Sequence, residues 1–265
     1  MSAPRNPADR CCTFESLRAD LAALGVAAGS TLMVHSSLSR VGYVVGGAAT
    51  LIRALLDVLT PAGTLVMPAE TPCCGDPSSW NDPRVRSEWF DTIREHLPVF
   101  DARTAPTTMG ALAEAFRTYP GTRRSDHPLV SVCANGAQAE RIVARHSLEY
   151  CEGRGTPFEQ LYELKAFVLL LGVGFDRCTT LHYAESLTPQ RRTGVSRYPL
   201  IVDGQRQWVV KPDMASDRDG HFPEVGRRFR ETGQLRSGHV GGAASLLFAN
   251  RDLVDFAVPY FRAAL

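Results

Sequence analysis

The sequence has no excess of charge of either sign. Its 265 residues carry 29 Lys+Arg against 28 Asp+Glu, a formal net charge of +1. That excludes the basic surface that nucleic-acid binding requires and leaves no acidic solvating tail. No apolar run reaches the roughly 18 residues of a membrane span. The N-terminal stretch MSAPRNPADRCCTF lacks the apolar centre of a signal peptide. The expected partners therefore include neither nucleic acid nor membrane. Cysteine is present seven times, an odd number, with two adjacent pairs at Cys11-Cys12 and Cys73-Cys74 and no CxxC. Such spacing suits neither a disulfide framework nor a zinc site, and points to a cytoplasmic chain with reduced thiols and no metal. GxSxG, GxxxxGK[ST], a full GxGxxG and HExxH are all missing. There is no internal repeat and no low-complexity segment.

What is present is an ordinary globular composition, 44% hydrophobic and 22% charged, in a chain long enough to bury a core. Residues 1–12 read as a frayed tail and residues 13–265 as a single domain. FESLRADLAALGV (14–26) has helical spacing and stops at a glycine. TLMVHSS (31–37) and TLVMPAE (64–70) read as strands flanking the helix GGAATLIRALLDVLTPAG (46–63). TMGALAEAFRTYPG (108–121) and AQAERIVARHS (137–147) read as further helices, LVSVCANG (129–136) and KAFVLLLGVG (165–174) as further strands. YPLIVDGQRQWVV (198–210) is a hairpin signal, with Asp203-Gly204 at its turn. HFPEVGRRFRETG (221–233) and NRDLVDFAVPYFRAA (250–264) close the chain as helices. The rhythm predicts an α/β fold: a central, largely parallel mixed sheet flanked by helices, with a C-terminal β-hairpin and helices. TPCCGDPSSWNDPRVRSEWF (71–90) breaks the rhythm. It reads as a long binding loop, since its two tryptophans and Phe90 argue for packing over disorder.

CTTLHYAESL (178–187) follows the buried strand, where ligands gather in open α/β sheets. Thr179, His182 and Glu185 are spaced by three and share one side of a helix. A carboxylate beside histidine raises its basicity and steadies its ring. A surface helix that carries these residues by chance is the structural alternative, and HxxE without further ligands does not make a metal site. VHSSLSRVGYVVGG (34–47) is a strand, a hydroxyl-rich turn and a glycine-rich approach, with Gly42 and Gly46 where backbone N–H groups hold phosphate or amide oxygens. An ordinary tight turn is the alternative. His127 in RRSDHPLVS precedes proline, so its backbone is extended.

Taken in order, VHSSLSRVGYVVGG, GTLVMP, EWFDTIREHLPVFD, TMGALAEAFR, RRSDHPLVS, GRGTPFEQLYEL and LLLGVGFDRCTTLHYAESL resemble the aminoglycoside 3-N-acetyltransferases over roughly residues 14–265. WFDTIREHLPVFD looks most like the branch that accepts apramycin. The resemblance implies the antibiotic N-acetyltransferase fold, acetyl-coenzyme A as co-substrate and the 3-amino group of a 2-deoxystreptamine ring as acceptor, in a monomer or homodimer. By motif it makes His182 the catalytic base, Glu185 its partner and Thr179 the residue near the thioester carbonyl. Cys178 is expected to be a bystander. His35, Ser36, Ser37, Gly42, Gly46, Met109, Gly110 and His127 are expected on the coenzyme side. An acceptor that is a polycation needs carboxylates, and Glu70, Asp126, Asp176 and Glu185 are the candidates. The family often reads SAHP and GEGSP where this chain has Ser125-Asp126-His127-Pro128 and Gly153-Arg154-Gly155-Thr156-Pro157, so Asp126 and Arg154 bear on substrate range. Acetylation of a different small amine, or coenzyme A binding without catalysis, are the readings left beside this one.

Overall fold

The computed structural model describes residues 10–80, 84–189, 191–215 and 220–265. The chain begins with β1 (Cys11–Cys12), α1 (Phe14–Leu24), β2 (Thr31–Ser36), α2 (Leu38–Val41), β3 (Tyr43–Val44), α3 (Gly47–Leu59) and β4 (Thr64–Pro68). Short α4 (Phe90–His96) and α5 (Ala111–Arg117) lead to β5 (Arg123–Arg124), β6 (Val132–Gly136), α6 (Ala139–Val143) and α7 (Pro157–Glu163). Then come β7 (Phe167–Leu171), α8 (Thr180–Ser186), β8 (Thr193–Val202), β9 (Gln205–Met214) and α9 (His221–Glu231). β10 (Leu235–Val240), β11 (Ala243–Ala249) and α10 (Asn250–Ala264) close it.

The central sheet has the order β10-β11-β7-β2-β4-β6-β5. Its middle strands β7, β2 and β4 run parallel, and the strands on both flanks are antiparallel. This is the mixed α/β sheet the sequence predicts, with β8 and β9 as the separate hairpin. The central strands are buried on both faces, and their alternation divides the core in two. Leu32, Val34, Leu65, Leu169 and Leu171 face one apolar cluster with Leu17, Leu51, Leu55 and Phe116. Met33, Val66, Val168 and Leu170 face the other, with Phe158, Leu181, Val225 and Leu253. The period of two thus sends α1, α3 and α5 to one side and α7 to α10 to the other.

Local signals set the boundaries. At α1, Ser16 N donates to Thr13 Oγ1 at 3.2 Å and Thr13 N to Ser16 Oγ at 2.9 Å, a capping box. Gly25 ends the helix in the left-handed region. The hairpin turn places Asp203 and Gly204 both at positive φ, as a two-residue turn demands. Two expectations are corrected. The tail does not extend to residue 12: Cys11–Cys12 pair with Tyr43–Val44, Cys12 is fully buried, and Arg10 Nη1 donates to Gly241 O at 2.6 Å. Residues 1–9 lie outside the described residues. Between α9 and α10 the chain also makes β10 and β11, whose strand period is blurred by Gly238, Gly241 and Gly242.

The long loop is fixed where it is described, residues 81–83 lying outside. Arg94 on α4 forks onto Asp76, with Nε–Oδ2 and Nη2–Oδ1 both 3.0 Å. Burial raises the Asp76 carboxyl, but the Arg94 and Ser78 hydrogen bonds outweigh it and hold the group down at about 2. Arg206 and Trp208 of β9 donate to the backbone oxygens at the end of α4: Trp208 Nε1 reaches Arg94 O at 3.0 Å and Arg206 Nη2 reaches Leu97 O at 2.8 Å.

Gly226 sits in the middle of α9 because α9 lies against Phe175. A Cβ there would stand 2.2 Å from the Phe175 ring, and that ring is itself stacked on Phe248 with centroids 5.4 Å apart. Gly226→Ala should therefore destabilise the fold although alanine is the better helix former. Overpacking costs about 1–3 kcal/mol against a gain of about 1 kcal/mol in propensity. A calorimetric melt should show Tm lower by roughly 2–4 °C per kcal/mol of net loss. An unchanged or raised Tm would mean that Phe175 can yield.

Candidate active site

The three parallel strands β2, β7 and β4 point their C-terminal ends at one edge. There they deliver His35, Ser36 and Ser37, then the Gly172-Val173-Gly174 turn, then Pro68 and Glu70. All of these line a cleft of about 1480 Å³. A second cleft of about 310 Å³, walled by Pro72, Ser79, Leu129, Cys151, Ser196 and Asp213, opens beside it. Glu70, Glu152 and His182 line both. The site is thus two chambers that meet at one imidazole and two carboxylates.

α8 carries His182 to that junction. The α8 face opposite the cleft packs on α10 through Leu181 and Ala184, and Asn250 Nδ2 donates to Thr180 Oγ1 at 3.2 Å. His182 Nδ1 lies 3.5 Å from Glu185 Oε2, with the glutamate side chain 1% exposed and the histidine 25%. Among the described residues neither oxygen of the Glu185 carboxylate has a hydrogen-bond donor, so the ion pair with His182 is the contact that meets this buried charge. The Phe222 ring meets His182 edge-on at 4.6 Å between centroids. With Nδ1 given to Glu185, Nε2 is the nitrogen free for chemistry.

The charges here are strongly perturbed. Burial alone would depress His182, but Glu152, Glu185 and Glu70 outweigh it and lift the imidazole to about 9. Burial raises Glu70 to about 7, with Glu152 adding to the rise and His182 and Arg177 opposing it. Glu152 is also raised, chiefly by burial. The Glu152 side chain is aimed by its neighbour: Cys151 N and Cys151 Sγ reach Asp213 Oδ1 at 3.3 and 3.2 Å. Asp213 also accepts from Ser196 Oγ and Met214 N. Cys151, Glu152 and Asp213 bring three potential ligand atoms within 4.8 Å of one another, but the four donors on Asp213 make this a clip between the 151 loop and β9.

The large cleft has features of its own. Thr179 Oγ1 and His35 Nε2 are buried and, among the described residues, without a hydrogen-bond partner, although both residues line the cleft. Burial holds His35 down at about 4, so it is neutral. Arg40, Arg177 and Arg230 stand along the cleft wall and are exposed. Burial pushes the Cys178 thiol up to about 12, so it is no thiolate nucleophile.

Of the residues singled out in the sequence, His182, Thr179, His35, Ser36, Ser37, Met109, Gly110, Glu70 and Asp176 line the large cleft. Glu185 sits behind His182. The others lie elsewhere. Gly42 and Gly46 are not among the cleft's lining residues: their positive φ values serve the chain reversals around β3. His127 is fully buried, with Nδ1 accepting from Leu129 N and Val130 N and its ring 4.6 Å from that of His146. Asp126 is exposed and touches neither cleft. Asp176 lies on the large-cleft side and pairs with Arg177 at 3.3 Å. Glu152, Asp213 and Ser196 were not anticipated. YCEGRG has no period or motif that marks Glu152, and its clip to Asp213 spans 62 positions.

The profile of the aminoglycoside 3-N-acetyltransferases matches residues 33–262. The SPbeta prophage-derived aminoglycoside N(3')-acetyltransferase-like protein YokD of Bacillus subtilis is 41% identical over 251 residues, 94% of this chain and 92% of the relative. Its crystal structure superposes with a TM-score of 0.89, covering 95% of this chain and 99% of the other. AAC-IIIb, solved as a binary complex with CoASH, is 36% identical with a TM-score of 0.84, covering 96% and 98%. AAC-VIa, solved bound to sisomicin, is 30% identical with a TM-score of 0.85, covering 96% and 98%. Sequence and fold agree, and the chain belongs to the aminoglycoside 3-N-acetyltransferase family.

Proposed function

We propose that this protein transfers the acetyl group of acetyl-coenzyme A to the 3-amino group of the 2-deoxystreptamine ring of aminoglycosides, which disarms the antibiotic. The observation that carries the reading is the meeting of two clefts at His182. One is large and lined by hydroxyls and arginines. The other is small and acidic. The first fits a long donor with phosphates at one end, and the second fits a cationic amine. The CoASH complex of AAC-IIIb and the sisomicin complex of AAC-VIa support the same pairing of ligands. A cytoplasmic setting belongs to the proposal and suits the seven free cysteines. So does acceptance of apramycin, which rests on WFDTIREHLPVFD.

The residues divide the work. Ser36, Ser37 and Gly172 hold the donor arm at the strand ends, and Arg40 and Arg230 meet its phosphates. When bound, acetyl-coenzyme A supplies an activated carbonyl whose C–S bond breaks as the amine's N–C bond forms. His182 Nε2 takes the proton that the amine loses and passes it to the departing sulfur. Glu185 keeps Nδ1 protonated and stabilises the imidazolium, as the acid member of a triad does. Thr179 Oγ1, buried and without a partner among the described residues, donates to the carbonyl oxygen as charge builds on it. Glu70 and Glu152 hold the ammonium groups of the acceptor.

Release of free thiol from acetyl-coenzyme A, followed with a panel of gentamicin, sisomicin, apramycin and simple metabolite amines, tests the function. Turnover with metabolite amines alone, or none with any amine, overturns it. His182→Ala should lower kcat by about 10²-fold or more, with donor affinity unchanged by calorimetry, which also reports that the variant is folded. Because the imidazole is lifted to about 9 in the free protein, its basic form grows as pH rises. kcat/KM should therefore climb from pH 6 and bend over near 9. A profile flat from pH 6 upward contradicts the assignment. Thr179→Val should lower kcat by about 10–10³-fold with little change in acceptor KM. Equal losses in both would make Thr179 a binding residue only.

A further inference from the structure

Glu152 stands between the chambers and lines both. Its loop is locked on the far side, where Asp213 accepts from Cys151 N and Sγ. Neither Glu152 nor Glu70 forms an ion pair with arginine or lysine among the described residues. Among the described residues the His182 ring is the cationic group that shares both cleft walls with them and acts on both, and Glu152 leads the carboxylates that attract it. The groups around that ring are Glu185 from its own helix, Glu70 after β4, Glu152 before α7 and the uncharged Phe222 of α9, with Arg177 acting on Glu70.

This arrangement poses a problem for a base. Three carboxylates about one imidazole favour its protonated form, and a protonated imidazole cannot accept a proton. The acceptor resolves it. An ammonium group entering the small cleft meets Glu70 and Glu152 and takes over as their counter-charge. The imidazolium then faces a like charge, and its proton leaves to solvent. We propose that Glu152 couples acceptor occupancy to catalysis: its carboxylate counter-charges His182 in the empty site and turns to a bound ammonium group when the small cleft fills. Glu152 thus both binds the acceptor and sets the charge of His182, and it favours acceptors with a second cation close to the reacting amine. A monoamine, which spends its only amine on the reaction, leaves His182 charged.

The inference rests on the functional reading, but its first test needs no turnover. The His182 ring is followed by NMR in the full chain without acetyl-coenzyme A, in the presence and absence of 2-deoxystreptamine, a compact diamine. In the unaltered protein the diamine should lower the titration midpoint of His182 by at least about one unit, a tenfold change in the equilibrium. Glu152→Gln should lower the midpoint by a similar amount without ligand, and the diamine should then shift it little. Glu152→Asp should restore part of the response. In turnover, Glu152→Gln should raise acceptor KM about tenfold or more, a larger change than in kcat, and move the acid limb of the kcat/KM profile to lower pH. Glu70→Gln, should the first variant fail to fold, should shift the midpoint in the same direction. A His182 midpoint that neither the diamine nor these substitutions move overturns the coupling, even where the thiol-release assay upholds acetyl transfer. Loss of acetyl transfer with the midpoint shifts intact overturns the functional reading and leaves the charge exchange standing.

Discussion

A carboxylate shut inside a protein must be met by a cation or take up a proton. Glu185 is 1% exposed and, among the described residues, has His182 as its one ion-pair partner. Removing one member of such a pair typically costs about 3–5 kcal/mol, because the other is left charged and buried. The fold around the site is arranged to keep the two together. α8 is packed between α7 and α10, Phe222 closes the ring's edge, and Asn250 ties the first turn of α8 to the start of α10. The same constraint fixes the imidazole's tautomer, so structural and chemical demands on His182 coincide.

The second layer of charge is of the opposite kind. Glu70 and Glu152 are held near the imidazole without basic partners from the described chain, and both are raised by burial. A site built this way is poorly compensated when empty and well compensated when a polycation sits in it. Attraction to such a ligand extends over about 8–10 Å at physiological salt, which suits a small acidic chamber opening beside a larger cleft that carries arginines.

Much of this was legible in the sequence, and for identifiable reasons. The apolar runs TLMVHS and FVLLL read as buried strands, and their ends then placed His35, Ser36, Ser37 and His182 on one edge. The spacing of Thr179, His182 and Glu185 read as one helical side. What stayed hidden depends on contacts between distant segments. Glu152 is aimed by Asp213, two strands of the hairpin away in the chain. β10 and β11 carry glycines that erase a clear period, and exist because β11 completes its bonds on β7. Cys11–Cys12 has no strand signal of its own and is ordered by β3. Asp126 is acidic and near a site motif, yet β5 and the turn after it point it to solvent while His127 turns inward.

The fork of Arg94 on Asp76, with Arg206 and Trp208 bracing the end of α4, makes a strut that runs from the wall of the small chamber to the hairpin tip. Ser79 and Pro72, which line that chamber, belong to the segment that Asp76 anchors. The outline of the small chamber is therefore inherited from residues that do not line it. With the small chamber as the acceptor's, as proposed above, drift at the hairpin tip in a population exposed to changing antibiotics would reshape the spectrum of drugs accepted while leaving His182 and Glu185 as they are.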